Sequence, residues 1–166
     1  VMINLLVLDP HPIVRSSFKD FLSDYNFLNV SGCVETAKEG LSFIDSNPID
    51  VLISEMILID EIPINLINQI KEIKPQIKVI FFTSQDENVY SFPLLKAGAI
   101  GFLSKNIKAS VLAEAIKKVQ SYELYITNNF NNQLDLDIDL EKPRNSFGSL
   151  SAREIEVLKY LTAVSY

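Results

Sequence analysis

The sequence predicts an α/β domain: a parallel sheet with helices packed on both faces. Strand-like and helix-like stretches alternate five times between Ile3 and Val119, and that alternation implies right-handed crossovers between parallel strands. The strand-like stretches are nearly unbroken apolar runs, as in Val51-Leu52-Ile53, which suits strands buried on both faces. Where these runs stop, groups capable of chemistry appear: Asp9, Glu55, Thr83 and Lys105. In open parallel sheets the working groups gather past the carboxyl ends of the strands.

The elements follow in order. Ile3 to Leu8 is the first apolar run and ends in Asp9. Val14, Phe18, Phe21, Leu22 and Tyr25 then fall at helical spacing and give one apolar stripe. Phe27 to Val34 reads as the second strand. Thr36 followed by Glu39 is a capping box, and Ala37, Leu41 and Ile44 continue that helix face. The third strand leads through Val51–Ile53 to Glu55. Pro63 to Ile73 is the next helix, through Leu66, Ile67 and Ile70. Lys78 to Thr83 is the fourth strand.

The fourth helix contains Pro93, which removes a backbone donor and is tolerated best in a first turn. A short helix is therefore expected, starting near Ser91 as cap and covering Phe92 to Ala97. Ile100 to Leu103 is the fifth strand, and Leu112, Ala115, Ile116 and Val119 line the fifth helix. Beyond Tyr122 the character changes. Four asparagines between Asn128 and Asn132 lead into Leu134-Asp135-Leu136-Asp137-Ile138-Asp139-Leu140. That alternation has strand period; the expectation is an extended acidic linker over 125–149, with an added edge strand or a partner-binding strand as alternatives. Ser151-Ala-Arg-Glu154 is a second capping box, opening a helix through Ile155, Leu158, Tyr160 and Leu161.

Composition narrows the function classes. The chain has 166 residues, 48% of them hydrophobic and 22% charged, which is globular composition with room for one domain and a fragment. No apolar run approaches the roughly 20 residues of a membrane span and no signal peptide opens the chain, so a cytoplasmic location is expected. A single cysteine, Cys33, excludes an internal disulfide and reads as a small buried hydrophobe. The net charge of −6 gives no bulk attraction to nucleic acid.

Taken singly, the strand-end groups say little: an aspartate after a strand is usually a cap or turn residue, and a lysine is usually a solvated one. Together they converge on one cleft, and carboxylates with a hydroxyl and a lysine suit phosphoryl and divalent-cation chemistry. At this point the residues resemble a known family. Asn4-Leu-Leu-Val-Leu-Asp9-Pro10-His11-Pro12-Ile-Val-Arg15 is similar to the start of response-regulator receiver domains of LuxR-type (NarL/FixJ) transcription factors. Phe81-Phe-Thr83-Ser84 and Gly98-Ala-Ile-Gly-Phe102-Leu-Ser-Lys105 resemble its threonine/serine and lysine motifs. Leu150-Ser-Ala-Arg-Glu-Ile-Glu-Val-Leu158 resembles the opening helix of its helix-turn-helix domain.

The resemblance implies a flavodoxin-like (CheY-like), doubly wound five-stranded sheet in the order 2-1-3-4-5, with a C-terminal helical fragment. It implies a receiver over 1–124, the acidic linker over 125–149, and the first helix of a DNA-binding domain over 150–166. Asp9 matches the first of the acidic pair that holds magnesium, and Pro10 falls where the second, directly coordinating aspartate belongs. Glu55 falls on the phosphoacceptor aspartate. Thr83 and Phe102 match the switch hydroxyl and switch aromatic, and Lys105 matches the lysine that pairs with the site. His11 matches a turn residue. Ser54 is an alternative recipient only if the register slips by one, which would turn a side chain to the wrong face of the strand.

Two of the five pocket positions therefore depart from the pattern, and both departures act against phosphorylation. Pro10 has neither a side-chain oxygen nor an N–H, so the cation loses a ligand. No bound metal is expected, Asp9 and Glu55 being weak candidates. Glu55 keeps a carboxylate but carries it one methylene farther, where it stands in for part of a phosphoryl charge near Lys105 and Thr83. The turn after Glu55 also lacks the family's Met-Pro-Gly. The leading expectation is an atypical, non-enzymatic response regulator, with a homodimer in prospect through the first and fifth helices or the fourth-helix face. A histidine kinase partner is doubtful, and DNA is expected to be bound only through a complete helix-turn-helix domain, absent from this chain. The alternative is a receiver-derived interaction or dimerisation module without DNA-binding output. A flavodoxin-like enzyme is disfavoured, since no glycine-rich phosphate loop occurs and Asp9-x-His11 lacks a phosphatase's second aspartate.

Overall fold

In the computed structural model, residues 1–127 are described. The chain runs β1 (Ile3–Leu8), α1 (Pro12–Phe21), β2 (Leu28–Val34), α2 (Ala37–Ser46), β3 (Val51–Ser54) and α3 (Pro63–Ile73). It continues through β4 (Lys78–Thr83), α4 (Glu87–Ala97), β5 (Gly101–Ser104), α5 (Ala109–Gln120) and β6 (Tyr125–Ile126). The strands form one sheet in the order β2-β1-β3-β4-β5-β6, with every pairing parallel. The expected 2-1-3-4-5 order holds for the first five. The sixth strand corrects the expected count: it falls just past residue 124, inside the stretch read as linker.

Strand alternation divides the core in two. On one face Leu6, Leu8, Leu52, Phe81 and Phe102 pack with Ile44, Ile67, Ile70 and Leu94 from α2, α3 and α4. On the other, Leu5, Val7, Ile53, Ile80 and Leu103 pack with Phe18 of α1 and Leu112, Ile116 and Val119 of α5. At Gly32, a β-carbon would come within 2.7 Å of the Phe43 ring, so the absence of a side chain lets α2 settle against β2. No helix among the described residues is long and apolar enough to cross a membrane.

Local chemistry sets the helix starts. Pro12 and Pro63 open α1 and α3, where a missing N–H costs nothing. Thr36 Oγ1 accepts the Glu39 N–H at 3.2 Å and caps α2. The expected short α4 is corrected: it begins at Glu87, not after Ser91, and Pro93 lies inside it. Asp86 is the cap, its carboxylate accepting the Asn88 N–H at 2.9 Å, which fixes the first turn before Pro93 is reached. The helix ends at Gly98, whose φ of +132° falls where glycine is favoured. There Lys71 of α3 donates to the Ala97 carbonyl at 2.9 Å, a cation on the α4 C-terminus.

Candidate functional site

β1, β3 and β4 are adjacent and parallel, so their carboxyl ends put Asp9, Glu55 and Thr83 on one edge of the sheet, with Lys105 just past β5. Asp9 and Glu55 are nearly inaccessible, at 2% and 5% exposure. The Lys105 ammonium joins them, its Nζ lying 2.8 Å from Asp9 Oδ2 and 3.0 Å from Glu55 Oε1. Burial by itself pulls the lysine pKa down. Hydrogen bonds and charge from Asp9 and Glu55 outweigh that, and the net displacement is upward from 10.5.

Each carboxylate is held by its other oxygen as well. Glu55 Oε2 accepts the N–H groups of Met56 and of Ile57, the latter at 3.1 Å. The extra methylene lets the glutamate fold back onto its own loop while still reaching the lysine. Asp9 Oδ1 accepts the His11 backbone N–H at 2.8 Å and lies 2.7 Å from His11 Nδ1. Arg15 donates to the Asp9 carbonyl at 2.8 Å. His11, read from sequence as a turn residue, thus also fixes Asp9; the Asp-x-His spacing was its only signal.

Thr83 does not line this cleft. It is fully buried, and its hydroxyl accepts the Gln85 N–H at 3.2 Å, tying the end of β4 to the lead-in of α4. The following residues, Ser84 and Gln85, line the cleft instead, with Pro10, His11, Glu55, Ile57, Leu58, Ile59 and Lys105 around about 440 Å³. Glu55 is therefore paired with Lys105, and its second oxygen is spent on the loop rather than on Thr83. Phe102 is fully buried opposite Phe81 in the ladder. Ser54 is also fully buried, its hydroxyl donating to the Glu55 carbonyl at 2.8 Å. Cys33 is half-buried; burial pushes its thiol pKa up, opposed by the charges of Lys19 and Arg15.

The loop from Met56 to Ile62 is held without proline or glycine. Asp60 accepts the N–H groups of Ala37 and Lys38 at 2.9 and 3.0 Å, both at the start of α2. Among the described residues, Asp9, His11 and Glu55 are the one group of three whose donor atoms lie close enough to hold a metal, all within 4.8 Å. Lys105 sits on both carboxylates of that group.

The family model for the response regulator receiver domain matches residues 5–117, from the third residue of β1 into α5. The chain belongs to the response regulator receiver family. The response regulator UvrY of Escherichia coli K12 is 29% identical over 162 residues, covering 97% of this chain and 74% of UvrY. Among solved structures, a LuxR-family two-component response regulator from Aurantimonas sp. SI85-9A1 superposes with a TM-score of 0.73 at 17% identity, covering 81% of this receiver chain and 96% of its own. A structure of two RcsB dimers bound to two parallel DNAs gives 0.71 at 21% identity, covering 81% and 69%. At these identities the two structures speak for the receiver fold.

Proposed function

We propose that this receiver belongs to a DNA-binding transcriptional regulator and that its conformation is not governed by aspartyl phosphorylation. The observation that carries the proposal is the state of Glu55. It occupies the acceptor position with one oxygen on Lys105 and the other on two loop N–H groups. A carboxylate so paired, in a cleft where charge-assisted contacts are strong, holds a fixed negative charge that no kinase adds or removes.

The cation site supports the same reading. Magnesium takes oxygen ligands in near-octahedral geometry. Here the second acidic position is Pro10, the neighbouring donor is the imidazole of His11, and the lysine ammonium already pairs with both carboxylates. These residues do not fit magnesium, and no step is assigned to it.

The DNA-binding assignment rests on the helix-turn-helix likeness of residues 150–158, a stretch through which the alignment to UvrY runs. An alignment over 162 of 166 residues must continue past the receiver match, which stops at 117. DNA contact and homodimerisation are carried over from the RcsB complex as part of this proposal. The test is a titration of the isotopically labelled chain with magnesium and acetyl phosphate, followed by amide NMR and size-exclusion chromatography. The expected result is no shift at Thr83, Phe102 or Lys105 and no change in elution. A saturable shift at those residues, or a phosphate-dependent dimer, would overturn the reading.

A further inference from the structure

The chain does not leave the sheet after α5. Tyr122, at φ +63°, turns it back, and its N–H bonds the Val119 carbonyl at 2.9 Å. Tyr125 and Ile126 then pair with Gly101 and Phe102 on the outer edge of β5. The Tyr125 N–H bonds the Ile100 carbonyl at 3.1 Å, and Thr127 Oγ1 accepts the Ser104 N–H at 3.1 Å. Ile126 is buried in the same apolar cluster as Phe102, Leu94 and Leu95. The last residue of β5 and the one after it thus face two ways. Ser104 holds the departing chain, while the Lys105 N–H bonds the Thr83 carbonyl at 3.0 Å and its ammonium holds Asp9 and Glu55.

From this juxtaposition we propose that Tyr125–Thr127 is a latch, docked on β5 while Lys105 is paired with Glu55 and released when that pair is broken. A two-residue strand at a sheet edge is the kind of element that opens locally at low cost. Its anchor points lie one residue from the site lysine and directly on the switch aromatic, so a displacement of β5 disrupts the latch first. The device depends on the Lys105–Glu55 contact, not on whether Glu55 accepts a phosphoryl group, and it is tested separately.

Hydrogen exchange followed by mass spectrometry on the full 166-residue chain reads it directly. In Glu55→Gln and in Lys105→Met, amides 123–127 should exchange about ten-fold faster, a coupling ordinary for linked sites, with amides 3–8 of β1 unchanged. Linkage also demands the reverse effect. Thr127→Val should raise acylation of Lys105 several-fold relative to exposed Lys19, and Thr127→Ser should restore it. Unchanged exchange at 123–127 in both site variants would overturn the proposal, as would unchanged Lys105 acylation in Thr127→Val. Should Lys105→Met loosen the whole sheet, β1 exchange will report it and the isosteric Glu55→Gln decides.

Discussion

At the residue scale the site is a closed electrostatic circuit. Lys105 is the cation that two buried carboxylates share, so removing it strands both. Breaking a buried pair by deleting one partner typically costs about 3–5 kcal/mol, and part of that is relieved here by the N–H donors already on Glu55 and Asp9. Lys105→Met is therefore expected to lose about 3 kcal/mol, seen as a lower urea midpoint with an unchanged slope. The pH dependence has a definite sign. Because folding raises the lysine pKa above 10.5, its contribution is complete below that value and is lost as pH rises through the raised one. Alkaline unfolding of the wild type should show this decline, and Lys105→Met should lack it. Asp9, Glu55 and Lys105 were legible from sequence because each follows an apolar run at a strand end. The place of Thr83 was not: that its hydroxyl turns to accept the Gln85 N–H depends on a rotamer that no motif prints.

At the scale of elements, two segments are held by side chains that a motif reading passes over. The turn after β3, Met56 to Ile62, holds no proline or glycine, and Asp60 fixes it by accepting two N–H groups at the start of α2. Helix N-termini favour such a carboxylate through both free donors and the helix dipole. Asp60→Ala should cost about 1–2 kcal/mol, measured by thermal or urea unfolding, with amide exchange rising first at Ala37 and Lys38. A full-strength Asp60→Ala chain would mean that the loop is held by Glu55 and Glu61 alone. In α4 the weight given to Pro93 hid the earlier start at Glu87. The Asp86-Glu87 pair is an ordinary start signal, but the helix has no clean apolar stripe: Glu87 and Ser91 are buried beside Leu94 and Leu95. Periodicity is strongest where a helix has one wet and one dry face, and this one lacks that contrast.

At the scale of the molecule, the sheet order and the two-sided core were readable because strands buried on both faces have few alternatives to parallel pairing. The sixth strand was not readable, since two residues carry too little pattern to tell from a loop. What the whole fold does with this pocket is the central proposal: the receiver carries a built-in charge pair where the family resemblance implies a phosphoacceptor and a magnesium ligand. Intact mass measurement after incubation with acetyl phosphate and magnesium tests it most directly, run on the wild type beside a Glu55→Asp, Pro10→Asp double variant. The wild-type chain should keep its mass, and the double variant should gain one phosphoryl group. A wild-type chain that labels efficiently would contradict the account.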